Sequence, residues 1–185
     1  QQKLFIPGGT LQEEARPVIV RTGIRSTGAP TVAGRTLVRT ETFKGPVQNS
    51  AVCGKFLYPT TGKITQGFQR GHYALDIGNV SKPDVWSSCG GTITKVVTGC
   101  PIREVRVDRG CGGGYGNYVV VDHGGKTQTL YAHLESVYVK VGESVRSGQA
   151  LGRMGNTGRA YGATGRHLHV ELYMNSQKKN LANFM

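Results

Sequence analysis

From Lys55 to Met185, no stretch keeps apolar residues at helical spacing for three turns. What recurs instead is a strand-length run of β-branched and aromatic residues followed by a glycine-rich turn. GTITKVV, REVRV, NYVVVDH, TQTLYAHL, SVYVKV and HLHVELYM are such runs, set apart by turn signals such as HGGK and VGES. The chain holds 28 glycines, and clusters such as GCGGGYGN and GRMGNTG supply the positive φ that hairpin connections require. This pattern predicts an all-β fold, an antiparallel sheet of the barrel or sandwich kind. Neither glycine cluster sits between a strand and a helix, so a nucleotide-binding loop is not expected.

The 185 residues suffice for one domain with its own core. Residues 1–50 are rich in Thr, Arg, Gly and Val, and Pro7, Pro17, Pro30 and Pro46 interrupt them. They read as a linker or the remnant of a preceding domain, and residues 51–185 as the functional domain. The longest purely apolar stretch, near Tyr118 to Val121, is far shorter than the roughly 20 residues that span a bilayer, so no transmembrane segment is expected.

The formal charge is +12, shared by both parts of the chain. Such a field favours anionic partners: nucleic acid, acidic lipid or anionic cell-wall polymer. No helix-turn-helix, zinc-finger spacing or aromatic RNA-binding signature accompanies it, which excludes nucleic acid as the expected partner. The four cysteines, Cys53, Cys89, Cys100 and Cys111, contain no C-x-x-C pair and so do not suggest a zinc ribbon or thioredoxin chemistry. An even number points to two disulfides in an oxidising compartment, hence a secreted or periplasmic protein. Cys100 and Cys111 bracket a short arm and are favoured as one pair, leaving Cys53 with Cys89. A monomer is expected.

Four of the five histidines fall in three compact strings. In GHYALD, His72 and Asp76 stand on one side of a strand or short loop; in HLH, His167 and His169 share a strand face; in LYAHL, His133 occupies a third strand with Tyr131 on its face. Catalytic Zn²⁺ commonly takes three ligands from His and carboxylate and leaves one position open. His72, Asp76 and one histidine of HLH supply that set, and the other histidine, with His133, is placed to handle protons. No H-E-x-x-H helix is present, so a glutamate base of the thermolysin kind is not available.

GHYALDIG, then LYAHLESVYVKVGESVRSGQALGRMGNTG, then GRHLHVEL resembles the lysostaphin and LytM family of zinc endopeptidases over about residues 55 to 175. The resemblance implies that His72, Asp76 and His169 bind one Zn²⁺ and that His133 and His167 are the catalytic pair. It also implies hydrolysis of peptide cross-links or stem peptides of bacterial peptidoglycan. A family member that binds the wall or activates another hydrolase without cutting is the alternative. In some relatives an upstream segment fills the open position on zinc, for which Asn49 or Gln48 is the candidate here.

The chain departs from the family pattern at Ala74, where a second glycine is usual, and in the enlarged GNTGRAYGATGR connection around Tyr161. The segment VYVKVGESVRSGQALGRMG is also similar to biotinyl and lipoyl carrier hairpins, but no lysine occupies the required tip. His123, in VDHGG, is expected to bond locally as a turn histidine. Tyr73 and Tyr131 are expected to pack in strands. Glu171 either orients a histidine as an acceptor or faces solvent. Arg70 and Arg166, beside the ligand strings, are read first as having no role in the site, with contact to a substrate carboxylate as the lesser alternative.

Overall fold

The computed structural model describes residues 53–102, 110–161 and 165–185. The N-terminal segment 1–50 with Gln48 and Asn49, the expected REVRV strand, and residues 162–164 of the Tyr161 connection lie outside them. The described chain forms one ten-stranded sheet in which every pairing is antiparallel, with two short 3-10 turns, Cys111–Gly114 and Leu181–Phe184. No helix among the described residues is long and apolar enough to cross a membrane.

In chain order the strands are β1 (Lys63–Gln66), β2 (Leu75–Gly78), β3 (Asp84–Trp86), β4 (Gly91–Val97), β5 (Asn117–Asp122), β6 (Thr127–Val137), β7 (Ser144–Val145), β8 (Ala150–Met154), β9 (His167–Met174) and β10 (Gln177–Lys179). The spatial path is β1-β2-β9-β6-β5-β4-β7, with β10 on β9, and β3 reached through β8 from β6. The eleven-residue β6 is the hub: Thr127 to Ala132 pair with β9, and Leu134 to Val137 pair with β8.

Alternation decides the two faces. Along β9, Leu168, Val170 and Leu172 enter the main core, where Leu75, Ile77, Val119, Val121, Tyr131 and Met154 meet them. His167, His169 and Glu171 occupy the intervening positions and so face the other way. The expected SVYVKV strand is divided. Ser136 and Val137 close β6, after which Tyr138 N donates to Leu151 O (2.9 Å) and Gly142 N to Ile93 O (2.8 Å). The chain there crosses from β8 towards β4, so no single ladder can hold it.

Both disulfides pair as expected, Cys53 with Cys89 and Cys100 with Cys111. The first closes a loop with a sequence separation of 36 and ties the start of the domain to the β3–β4 turn. Loop-closure entropy for such a bridge is about 3–4 kcal/mol. A Cys53→Ser, Cys89→Ser double variant is expected to lose about that much stability, read as a lower urea midpoint; an unchanged midpoint would contradict it.

Candidate metal centre

The site is assembled by register. Asp76 on β2 lies directly opposite His169 on β9, and His169 lies directly opposite Ala132 on β6. Three adjacent strands thus carry one lateral row, and the next residue of β6 is His133. Simple alternation would send His133 to the core face with Tyr131. Instead the β5–β6 register shifts between Tyr131 and Leu134, the β6–β8 register shifts just beyond, between Leu134 and Ser136, and His133 has φ 60°. This bulge, where β6 passes from β9 to β8, turns the ring out towards His167, with centroids 4.8 Å apart. The expectation that His133 shares Tyr131's face is therefore corrected: Tyr131 is buried in the core, and His133 is on the opposite side.

His72 precedes β2 in a turn closed by backbone bonds between Gln69 and His72 of 2.8 and 2.9 Å. Its Nδ1 lies 2.9 Å from Gly67 O, and only a protonated Nδ1 can bond a carbonyl. In the neutral ring that leaves Nε2 bare. Nε2 points at Asp76 Oδ2 (3.1 Å), yet it is buried with no hydrogen-bond partner. His169 repeats the arrangement: Nε2 donates to Glu171 Oε1 (3.1 Å), and Nδ1 faces Asp76 Oδ1 (2.7 Å). The ligating atoms of His72, Asp76 and His169 all lie within 4.8 Å of one another. Lone pairs converging on a carboxylate repel unless a cation or proton lies between them, so this donor set suits a divalent ion such as Zn²⁺.

Glu171 is 2% exposed, so the solvent-facing alternative is excluded. Its Oε1 accepts from Tyr115 Oη (3.0 Å), Lys178 Nζ (2.7 Å) and His169, and its Oε2 accepts from Tyr173 Oη. Burial raises its pKa, but bonds from His169, Lys178 and Tyr173 outweigh that and hold it down to about 2. Burial likewise raises Asp76, and His169 with the surrounding imidazoles lowers it on balance.

The other two histidines have different surroundings. His133 Nδ1 donates to Thr157 O (2.8 Å), which leaves Nε2 bare. Burial, then the charges of His167 and His169, push His133 down to about 3. Burial also lowers His167, whose Nε2 is 3.7 Å from Asp76 Oδ2. Burial opposes the charging of His169, but bonds to Asp76 and Glu171 raise it to about 9. In a metal-free sample, imidazole NMR is therefore expected to show His133 neutral down to about pH 3 and His169 titrating near pH 9. Titration of either ring near the unperturbed 6.5 would refute this assignment.

These residues line a cleft of about 550 Å³ that also meets Thr65 and Gln66 of β1, Tyr73, Gly114, Arg159 and Tyr161. Tyr73 is 48% exposed and lines the cleft beside Phe68, so strand packing does not describe it. Arg70 and Arg166 do not line the cleft; Arg159, which motif spacing did not single out, does. His123 lies off it, bonded through Nδ1 to Gly90 O and through Nε2 to Thr129 Oγ1, each 2.8 Å. A second cluster, Cys53, Cys89 and His123, has both sulfurs in a disulfide and no thiolate to offer a metal.

The sequence profile described as Peptidase family M23 matches residues 70–181. The peptidoglycan DD-endopeptidase ShyA of Vibrio cholerae is 48% identical over 65 residues, which cover 35% of this chain and 14% of that protein. An uncharacterized metalloprotease of Haemophilus influenzae is 33% identical over 123 residues, 66% of this chain and 22% of that protein. The chain thus spans less than a quarter of the length of either relative. Among solved structures, a zinc-containing peptidase from Vibrio cholerae is similar with a TM-score of 0.54 and 26% identity, covering 69% of this chain and 39% of that one. The matched profile begins two residues before His72 and runs past β9, taking in all three histidine strings, and on that match the chain belongs to peptidase family M23.

Proposed function

We propose that this chain is a zinc-dependent endopeptidase that hydrolyses peptide bonds of bacterial peptidoglycan from a secreted or periplasmic position. The observation that carries the reading is the convergence of two imidazole nitrogens, His72 Nε2 and His169 Nδ1, on Asp76, beside His133 and His167 in one cleft. The peptidoglycan target is supported by the named activity of ShyA, and the compartment by the two disulfides. The formal charge of +12 would draw the chain to anionic wall polymer.

His72, Asp76 and His169 would hold Zn²⁺, which would supply a Lewis acid for polarising the scissile carbonyl and lowering the pKa of a water. Around it, the protein orients and moves protons. Gly67 O and Glu171 set the tautomers of His72 and His169 so that the correct nitrogen faces inwards. Thr157 O does the same for His133, whose bare Nε2 accepts a proton; burial keeps that nitrogen unprotonated at neutral pH. His167, against His133, shares proton transfer and stabilisation of the developing oxyanion.

Incubation of the purified chain with peptidoglycan is expected to release new amino groups, with about one zinc per chain and loss of activity on chelation. Metal-free protein without cleavage would overturn the reading. All five residues meet in one cleft, which favours cutting over the non-cutting alternative. Glu171→Gln, which removes the charge but keeps the shape, is expected to weaken zinc affinity roughly 10- to 100-fold, measured by competition with a chelating dye. Unchanged affinity would show that Glu171 does not orient His169.

A further inference from the structure

Four charged side chains other than histidine line the cleft: Asp76, Glu171, Lys178 and Arg159. Three are accounted for. Asp76 faces His72 and His169, and Glu171 is satisfied by Lys178 Nζ at 2.7 Å together with Tyr115, Tyr173 and His169. Arg159 is different, because its guanidinium has no ion pair or hydrogen bond to any described residue, and it is exposed.

The backbone that presents it is fixed. Gly158, at φ 69°, is pressed so closely on Gly116 that a Cβ there would lie 2.2 Å from Gly116 N. A Cβ on Gly116 would lie 2.4 Å from Thr157 O, so neither position admits a side chain. Thr157 Oγ1 bonds Asn117 N (2.9 Å) and Leu134 O (2.8 Å), and Arg159 N donates to Gly114 O (2.7 Å). The carbonyl of the same Thr157 holds His133. The base of Arg159 is thus registered two residues from the group that orients a proposed catalytic imidazole.

We infer that Arg159 is a specificity-determining residue that binds a free carboxylate on the peptide being cut. The inference rests on the peptidase reading above and adds a substrate class to it. A planar guanidinium presents parallel N–H donors that match a carboxylate in bidentate fashion. Peptidoglycan stems offer that chemistry from two sources, a terminal α-carboxylate and the side-chain carboxylate of a diamino acid.

The test uses the full, zinc-loaded chain with a cross-linked muropeptide dimer whose carboxylates are free, and the same dimer amidated at the terminal carboxylate, at the side-chain carboxylate, or at both. The wild type is expected to favour the free dimer over the fully amidated one by roughly 10- to 100-fold in kcat/KM. The singly amidated dimers identify which carboxylate is read. Arg159→Gln should bring the ratio close to one, and Arg159→Lys should retain part of it, because charge survives but the fork does not. A wild type without preference, or an Arg159→Gln variant that keeps it, overturns the inference. Dissociation constants for the same peptides are measured by calorimetry in parallel. If the chain cuts nothing yet Arg159→Gln abolishes a binding preference, the peptidase reading falls and the inference stands; a binding preference that survives Arg159→Gln overturns the inference.

Discussion

His169→Ala is expected to lose zinc and activity together. Its Nδ1 faces Asp76 Oδ1 at 2.7 Å, and its Nε2 is engaged with Glu171. His167 stands one alternation earlier on β9, opposite Gly78 rather than Asp76, with its Nε2 3.7 Å from Asp76 Oδ2. Removing one ligand of three leaves His72 and Asp76, too few donors for a catalytic zinc site. Loss of the Lewis acid removes several kcal/mol of transition-state stabilisation, roughly a 10³- to 10⁴-fold fall in kcat/KM. Metal analysis after gel filtration checks the first half and hydrolysis of a muropeptide dimer the second. A His169→Ala protein that retains stoichiometric zinc would show that the ligand set is wrong.

The opposite separation is expected for the other pair. His133→Ala and His167→Ala should each retain zinc near one per chain and lose roughly 10²- to 10⁴-fold in kcat, the range for a positioned proton-transfer group. His133 is committed through Nδ1 to Thr157 O, which keeps its only free nitrogen directed away from that anchor. The two rings lie 4.8 Å apart, close enough to act on one substrate, so the double variant should lose less than the product of the single losses. Zinc loss in either single variant would reassign that residue from proton transfer to metal binding.

Much of the architecture is legible locally. The runs around β4, β5, β6 and β9 are strand-length, rich in β-branched and aromatic residues and bounded by glycine turns, a local signal that needs no knowledge of the partner strand. Short β1, β3 and β10 carry too few residues for any period to register, and SVYVKV reads as one strand although its hydrogen bonds go to two. Cysteine count and spacing favoured the pairing observed, because the bracketed arm leaves one simple partition.

The histidine strings were likewise visible, since HLH on a strand must place both rings on one face. Glu171 stayed ambiguous because its burial depends on Tyr115 and Lys178, contributed by other segments, together with Tyr173 of its own strand. Arg159 drew no notice for a related reason: nearness in sequence to a ligand string brought up only Arg70 and Arg166, whereas Arg159 reaches the cleft through the close approach of Gly158 to Gly116.

By itself, then, the sequence determined an all-β chain and brought forward the five side chains proposed to carry its chemistry, because residue type and strand alternation are local properties. Only the tertiary structure decided that Asp76, His169 and Ala132 stand in one row, that a bulge at His133 turns that ring out of the core, and that Glu171 is buried behind His169. Register, bulges and burial arise from pairing between distant segments, and a one-residue shift in that pairing would send the same histidines to the opposite face.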